Sequence, residues 1–354
     1  MWTPQITIER VTPSSAAITN VQSFQLNRGR TKISDDFRPG TGTINGRRPD
    51  LLPTLKIGDT IRVEIHNPVT LGTLQLDYRV ADLIIDYGIT SSLDTWTLEV
   101  EDAFAYLGRA VVTRTWASGS IASDVAVNIC SDVGLTLVRN SVGTTPVSAQ
   151  TVTNAFALDV FQTLANTEQA LVQANATTLT WYSRGWQSAI TYYAFSDTGT
   201  TAVPYDALTF SSMADNYADK VVVQPRGSTE VVSGTGIFSY NLDSYSFSTG
   251  QATDLSLFVK GIFDVQTGTP QSISVLANTD DSAGTDSLRA CAVGSGISLT
   301  FRGLTYQMLV QGFTITSNPT DTRITYYVSS TSFYAFLTLN DALLGKLDQN
   351  KLGF

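Results

Sequence analysis

The sequence predicts a mainly β fold with an α+β insertion in the middle of the chain. Only 15% of the 354 residues are charged, while glycine occurs 26 times, and this composition is typical of strands and tight turns. Apolar and polar side chains alternate in an early and a late part of the chain, which is the period of half-buried strands. Between these parts, apolar residues recur every three to four positions, as they do on helices.

The early alternating part predicts a three-stranded meander. Over residues 61–65, the apolar side chains of Ile61, Val63 and Ile65 alternate with polar ones. The same alternation resumes over residues 74–80. Its phase changes at Ala81-Asp82, which predicts a bulge or a bend. A third alternating run over residues 96–100 follows a polar turn and completes the meander.

The same order of events recurs late in the chain. Residues 297–301 and 306–310 alternate, the phase slips at Gln311-Gly312, and residues 324–328 form the last run. Two interpretations remain open at this point. Any two β-meanders look alike, or one β-domain is present twice, with loop lengths absorbing the differences in spacing.

The middle of the chain predicts helices. Ser120 is expected to cap a helix that carries an apolar residue at every fourth position and stops at Gly134. A second helix is expected to begin near Asn154, and two short strands follow about a turn at Asn175. A third helix is predicted over residues 254–263, with Thr253 as its cap.

These patterns divide the chain into four parts. We expect two related β-barrel, tube-type domains plus a small α/β domain. The first β-domain covers residues 1–107 and the α+β insertion residues 108–200. The second β-domain covers residues 201–337, and its first part can return to the first domain. Residues 338–354 form a C-terminal strap.

Charge and cysteine usage restrict the function. Lys and Arg number 22 against 31 Asp and Glu, a net charge of −9, so tight binding of nucleic acid is not expected. Cys130 and Cys291 lie far apart, which predicts two buried, reduced thiols rather than a zinc site. The chain start lacks the pattern of a secretion signal, and no apolar run approaches the ~18 residues of a spanning helix. We expect neither a secreted precursor nor a membrane protein.

No pattern of residues predicts catalysis, a cofactor or a metal. His66 is the only histidine, and its place on the polar side of a strand predicts a solvated side chain. Three groups of carboxylates could in principle act as an acid–base pair, but they are expected on wet strand faces and loops. The groups are Asp35-Asp36, Glu99 with Glu101 and Asp102, and Asp280-Asp281.

Basic residues concentrate in one stretch of the first β-domain, at Arg28, Arg30, Lys32, Arg47 and Arg48. Acidic residues are interleaved with them, which favours a solvated, charge-balanced loop. The alternative is a contact with an acidic partner surface or with passing DNA.

The chain ends on "LNDALLGKLDQNKLGF", which is rich in apolar residues. Gly345 and Gly353 interrupt the spacing that one long helix needs, and the acidic and amide residues offer turn chemistry instead. We therefore predict an extended strap that is buried on another domain or on a neighbouring chain. Its partner-binding residues are Leu343, Leu344, Leu347, Leu352 and Phe354.

Several stretches, taken in order, resemble the hub and minor tail proteins of bacteriophage tails, especially those of long-tailed phages of Actinobacteria. The family ends characteristically on a pattern like "LD.P.YG.LD.N.LGF", from which this chain departs by lacking the proline and the tyrosine. The glycine usual after the Glu of the middle motif is replaced by Gln169-Ala170. The matching stretches are GTIN at 42–45, GDTIRV at 58–63, LGR at 107–109, FQTLANTE at 161–168, LTWYSR at 179–184 and residues 339–354.

The resemblance implies a non-enzymatic, ring-forming hub at the tail tip, in the virion, assembled in the cytoplasm of the bacterial host. In such a ring, three chains supply six similar β-domains, and an α/β portion sits outside. Implied partners are further copies of the chain, the distal tail protein, the tape-measure protein and fibre or spike proteins, while DNA passes the lumen without tight binding. The alternatives are a distal tail protein in a hexameric ring and a tail-associated cell-wall hydrolase.

Overall fold

The computed structural model describes residues 5–67, 73–140, 143–184, 190–198, 202–210, 217–266, 268–277 and 286–331. The chain is mainly β, as predicted. Its early strands are β1 (Gln5–Arg10), β2 (Ala16–Ala17), β3 (Val21–Gly29), β4 (Thr41–Arg47), β5 (Thr60–His66), β6 (Thr73–Asp86) and β7 (Thr95–Glu101).

Helices and short strands alternate in the middle of the chain. They are α1 (Ala103–Arg109), β8 (Val111–Trp116), β9 (Ser120–Ile121), α2 (Ala122–Asp132), β10 (Thr136–Arg139), β11 (Pro146–Val147), β12 (Gln150–Phe156), α3 (Ala157–Glu168), β13 (Leu171–Ala174) and β14 (Thr178–Tyr182).

The late part of the chain returns to long strands after a second helical unit. Its elements are β15 (Tyr192–Ser196), β16 (Val203–Pro204), β17 (Ala207–Phe210), β18 (Lys220–Pro225), β19 (Val231–Gly234), β20 (Ser239–Ser244), α4 (Thr249–Gln266), β21 (Pro270–Leu276), α5 (Asp286–Arg289), β22 (Gly296–Phe301), β23 (Leu304–Ser317) and β24 (Thr322–Ser330).

One sheet of 14 strands contains the same strand order twice. The early strands pair in the order β3-β4-β7-β6-β5-β1-β2, and the late strands in the order β17-β21-β24-β23-β22-β15-β16. In each set the seven strands also follow one another in the same sequence order. The sets differ in two pairings, because β1 is antiparallel to both β5 and β2, whereas β15 is parallel to both β22 and β16. We call them the first and second strand sets.

Both predicted meanders are present, and each has the predicted bulge. The middle strands β6 and β23 are each 14 residues long. Their registers shift between Val80 and Asp82 and between Val310 and Gly312. This local agreement favours the interpretation that one strand arrangement is present twice. Closure of each set into a barrel and the domain limits given above remain predictions.

The helices of the middle part exist, but their starts differ from the predicted ones. Ser120 is no cap, because its backbone pairs with Val147 in a short β-ladder and α2 begins after Ile121. Gly134 follows α2 at φ +75°, as expected of a stop. Asn154 lies within β12, and α3 begins three residues later.

The third predicted helix is longer than its apolar pattern. It begins at Thr249, where Ser248 Oγ accepts a hydrogen bond from Gln251 N at 3.2 Å. The predicted cap Thr253 lies inside the helix and donates to the Thr249 carbonyl at 2.9 Å. The helix packs on a small sheet, β19-β18-β20, that the sequence did not predict.

Three large apolar cores hold these layers together in the described part of the chain, and a small fourth cluster joins Leu171 to Leu309. The largest lies against the 14-stranded sheet and includes residues of both strand sets. A second core fills the middle part around Phe161 and Trp181, and a third lies between α4 and β18–β20. Cys130 and Cys291 are buried, free thiols, as predicted. Within the described ranges, no helix is both long and apolar enough to span a membrane.

Candidate functional site

The two strand sets meet where β3 pairs antiparallel with β23, and we call this join the internal seam. Its register runs from Gly29 opposite Gly312 to Phe24 opposite Ser317. The backbones approach closely at its start. A Cβ atom on Gly312 would lie 2.6 Å from the Arg28 carbonyl oxygen, and one on Gly29 would lie 2.4 Å from the Gln311 carbonyl oxygen. Only glycine allows this contact.

Side-chain contacts stabilise the internal seam on both faces of the sheet. On the polar face, Thr314 Oγ1 donates to Asn27 Oδ1 at 2.8 Å. Near the tight end, Arg30 Nε donates to Gln311 Oε1 at 2.9 Å. Val293 is only 2% exposed, and its Cγ2 would lie 2.9 Å from a Cβ at Gly29. The seam therefore combines polar side-chain contacts with a buried valine at its tight end.

Each strand of the internal seam has a counterpart in the other strand set. The common bulge aligns β6 with β23, so that residues 82–87 correspond to residues 312–317. The pairings of β3 with β4 and of β17 with β21 align Phe24 with Leu208. The repeated strand order thus implies a second seam of the same kind, between β6 and β17.

Among the described strands, that second seam is not made. β5 pairs with β6 only as far as Arg79, and β7 covers the opposite edge from there to Asp86. β17 pairs with β21 alone among the described strands. We call these two strand edges, residues 82–86 and Ala207–Phe210, the open edges. Unpaired strand edges are ready templates for pairing with another chain.

Apolar side chains along the open edges are exposed where their counterparts are buried. Ile57 precedes Gly58, as Val293 precedes Gly294, yet Ile57 is 79% exposed and Val293 2%. Phe210 is 38% exposed, whereas its counterpart Leu26 is fully buried. Since the backbone around Ile57 matches that around Val293, the absence of a covering strand explains the exposure of Ile57. Phe210 lies where the register of β17 with β21 shifts, and its ring packs on Phe301 and Tyr306.

A buried polar cluster lies below the first strand set, where the middle part of the chain packs on it. Arg28 is 2% exposed, which corrects the prediction of a solvated loop. β3 extends to Gly29, so Arg28 faces the core side of the strand. Its guanidinium lies 4.6 Å from the centre of the Tyr78 ring and donates to Asn175 Oδ1 at 2.6 Å and to the Asp77 carbonyl at 2.8 Å.

Asp102 completes this cluster. Its Oδ1 accepts a hydrogen bond from Phe104 N at 2.9 Å and so caps α1. Burial raises the pKa of Asp102 to about 7, while the nearby Arg28 charge acts in the opposite direction. Neither the burial nor α1 was predicted, although an Asp directly before the apolar run AFAYLG is a cap signal that sequence reasoning could have used.

A second buried acid lies at the end of α3. Glu168 is 4% exposed, and burial raises its pKa to about 7. The Trp181 indole and the Arg184 charge oppose this rise. The motif FQTLANTE thus ends on an acid that is buried inside the middle part of the chain.

The remaining candidate residues do not converge on a reactive site. His66 Nδ1 lies 2.9 Å from Thr73 Oγ1 at the end of its strand. Glu101 pairs with Arg109, and Asp35 accepts bonds from Thr31 and Lys32 within a turn. Arg48 stays exposed beside Asp50. In the part of the chain that the structure describes, no group of His, Cys, Asp and Glu could hold a metal ion.

Two sets of candidate residues lie outside the described residues. One is Asp280-Asp281. The other is the predicted partner-binding set of the C-terminal strap, Leu343, Leu344, Leu347, Leu352 and Phe354.

No protein-family model and no curated protein sequence matches this chain. Solved structures do share its fold over nearly the whole length. The 43 kDa tail protein of prophage MuSo2 from Shewanella oneidensis is 12% identical, with a TM-score of 0.62, over 93% of this chain and 99% of the other. A tail protein from Neisseria meningitidis MC58 is 12% identical, with a TM-score of 0.67, over 94% and 98%.

A third similar structure comes from a secretion system. The E. coli protein c3393 is a component of the type VI secretion system with structural similarity to the T4 bacteriophage tail proteins gp27 and gp5. It is 11% identical, with a TM-score of 0.53, over 96% of this chain and 80% of the other. At such identities the likeness concerns the fold alone, and the fold of this chain is that of phage tail proteins.

Proposed function

We propose that this chain is a structural protein of a phage tail tip, a ring-forming hub that closes the tail tube, adapts its symmetry and anchors tip proteins for DNA delivery. The observation that carries the proposal is the repeated strand order with one seam made and one open. Joining identical copies through such unlike edges is a heterologous contact, which closes into a ring when the rotation per copy allows it.

Three copies in the ring are favoured, because they bring six similar strand sets around a sixfold tube. A ring of this kind covers the open edges of each copy, which removes an aggregation hazard. The net charge of −9 suits a lumen that DNA traverses without being held. We expect the distal tail protein, the tape-measure protein and fibre or spike proteins to bind the ring, and no catalytic role.

Mass measurement in solution, combined with negative-stain microscopy, tests the ring. The expected result is a ring of three copies, alone or together with tail partners. Six copies would favour the distal tail protein instead. A protein that stays monomeric even when mixed with tails that lack it would overturn the proposal.

Deletion of residues 339–354 tests the C-terminal strap. We expect the shortened chain to keep its thermal unfolding midpoint within a few degrees, because the described sheets lie before residue 332, but to enter tails poorly. Unfolding is followed by circular dichroism and incorporation by immunoblotting of purified tails. Normal incorporation of the shortened chain would show that the strap is dispensable.

A further inference from the structure

We infer that residues 85–87 of one copy pair antiparallel with residues 208–210 of the next copy, and that Ile57 covers this join. The inference rests on the proposed ring and specifies how its copies meet. In the internal seam, Thr316 lies opposite Gln25 and Ser317 opposite Phe24. The corresponding pairs between copies are Asp86 with Thr209 and Tyr87 with Leu208.

The backbone around Ile57 carries the first part of the argument. Gly58 has φ +91° and donates to the Val80 carbonyl at 2.9 Å, and Gly294 has φ +92° and donates to the Val310 carbonyl at 2.8 Å. In both places the bulged valine donates its own N–H to the residue after the glycine, at 2.9 and 2.8 Å. The residue before each glycine therefore occupies the same position relative to the bulge.

That position is buried in one strand set only. Val293 packs against Gly29 of β3 across the internal seam. Ile57, in the same backbone setting, meets no such strand and is 79% exposed. A strand added along the open edge of β6 would cover part of Ile57, although it would not approach as closely as β3 approaches Val293. The buried apolar area is then the driving force for the join.

The open edges also differ from the internal seam at one residue, and this residue limits how far the pairing can extend along the edge. Asp82 stands where β23 has Gly312. A side chain at this place prevents the close backbone approach that the two glycines permit. We therefore assign the backbone pairing to residues 85–87, which lie beyond this obstacle. We assign the wider space beside Asp82 to the side chain of Ile57, because Gly58 bonds to Val80 at this end of the edge.

A second copy of the chain is the partner that fits. One chain provides both complementary edges, and their register already exists in its internal seam. The two edges lie on different strand sets, so one copy can use each edge with a different neighbour. A different protein would have to imitate β3 or β23 in strand direction, register and side-chain size.

Disulfide cross-linking tests the register. The double variant Asp86→Cys with Thr209→Cys places one cysteine on each open edge, at side chains that are exposed. Under diamide we expect disulfides between copies, resolved on non-reducing gels as a ladder up to the copy number of the ring. The control pair Ile84→Cys with Thr209→Cys is displaced by two residues, a diagonal spacing of about 7–8 Å that a disulfide does not span easily. Each single variant controls for random collision.

Two failures are distinguishable in this experiment. If the protein forms rings by mass but the matched pair links no better than the displaced pair, the register is wrong and the proposed ring stands. If the protein remains monomeric with tail partners, both the ring and the join are overturned.

The substitution Ile57→Asp tests the covering contact. It places a charge at a side chain that is exposed in the single chain, so we expect unchanged folding and association between copies weakened about tenfold or more. Ile237→Asp is the matched control, because Ile237 is 86% exposed on the turn between β19 and β20, which belong to a separate sheet. Association is measured by analytical ultracentrifugation over a concentration series. Equal association of both variants would overturn the assigned role of Ile57.

Discussion

Replacement of Arg28 by methionine is expected to lower the free energy of unfolding by about 3–5 kcal/mol at about pH 8. Methionine keeps an apolar chain over the Tyr78 ring but removes the donors to Asn175 and to the Asp77 carbonyl. It also leaves the buried Asp102 carboxylate without the charge that stabilises it. The loss is measured by urea unfolding followed by tryptophan fluorescence.

Because Asp102 titrates, the decrease in the free energy of unfolding caused by Arg28→Met is expected to depend on pH. At about pH 5 the Asp102 carboxyl, with its pKa raised to about 7, is neutral in the folded protein. Removal of Arg28 then leaves no unpaired charge, and a smaller loss is expected. Arg48→Met is the matched control, since Arg48 is exposed, and it should change stability by less than about 0.5 kcal/mol. An equal loss for Arg28→Met at both pH values would contradict the coupling with Asp102.

Stability of the unmodified chain is expected to fall as the pH rises from about 4 to about 7. Burial raises the pKa of Asp102 from 3.8 and that of Glu168 from 4.5, in each case to about 7. The folded protein therefore holds two protons that the unfolded chain releases in this range. Their stabilising contribution is complete below the unfolded pKa values and is lost once the pH passes about 7. Each group contributes at most about 3–4 kcal/mol.

The variants Asp102→Asn and Glu168→Gln isolate these contributions. Asparagine caps helices as well as aspartate does, so Asp102→Asn should keep α1 while removing the charge. Each variant should flatten the pH dependence of the free energy of unfolding and stabilise the protein at about pH 8. Asp50→Asn, at an exposed carboxylate, should leave the profile unchanged. A profile that keeps its slope in both buried-acid variants would refute this explanation.

The meanders could be predicted because their signal is local. Alternation with period two and the phase changes at Ala81-Asp82 and Gln311-Gly312 are properties of neighbouring residues, and both bulges occur where expected. Helix starts depended on distant residues. Ser120 is an adequate cap in isolation, but its backbone pairs with Val147 instead, and no local pattern encodes that competition.

Arg28 illustrates the limit for charged residues. Its neighbours Arg30, Lys32, Asp35 and Asp36 read as a balanced polar loop. Its burial depends on Asn175, which is 147 residues away in sequence and reaches it through the middle part of the chain. A contact over this distance cannot be recognised from the spacing of charged residues in the sequence.

The sequence by itself determined the mainly β class, the repeated meander with its bulges and the resemblance to phage tail proteins, because side-chain periodicity and motif order are readable from neighbouring residues. Only the tertiary structure decided which strand edges are joined and which are open. Pairing of β3 with β23 brings together residues that lie nearly the whole chain apart. The choice between an internal join and a join to another copy depends on which edge the folded chain can reach, while the alternation of apolar and polar residues is similar along both.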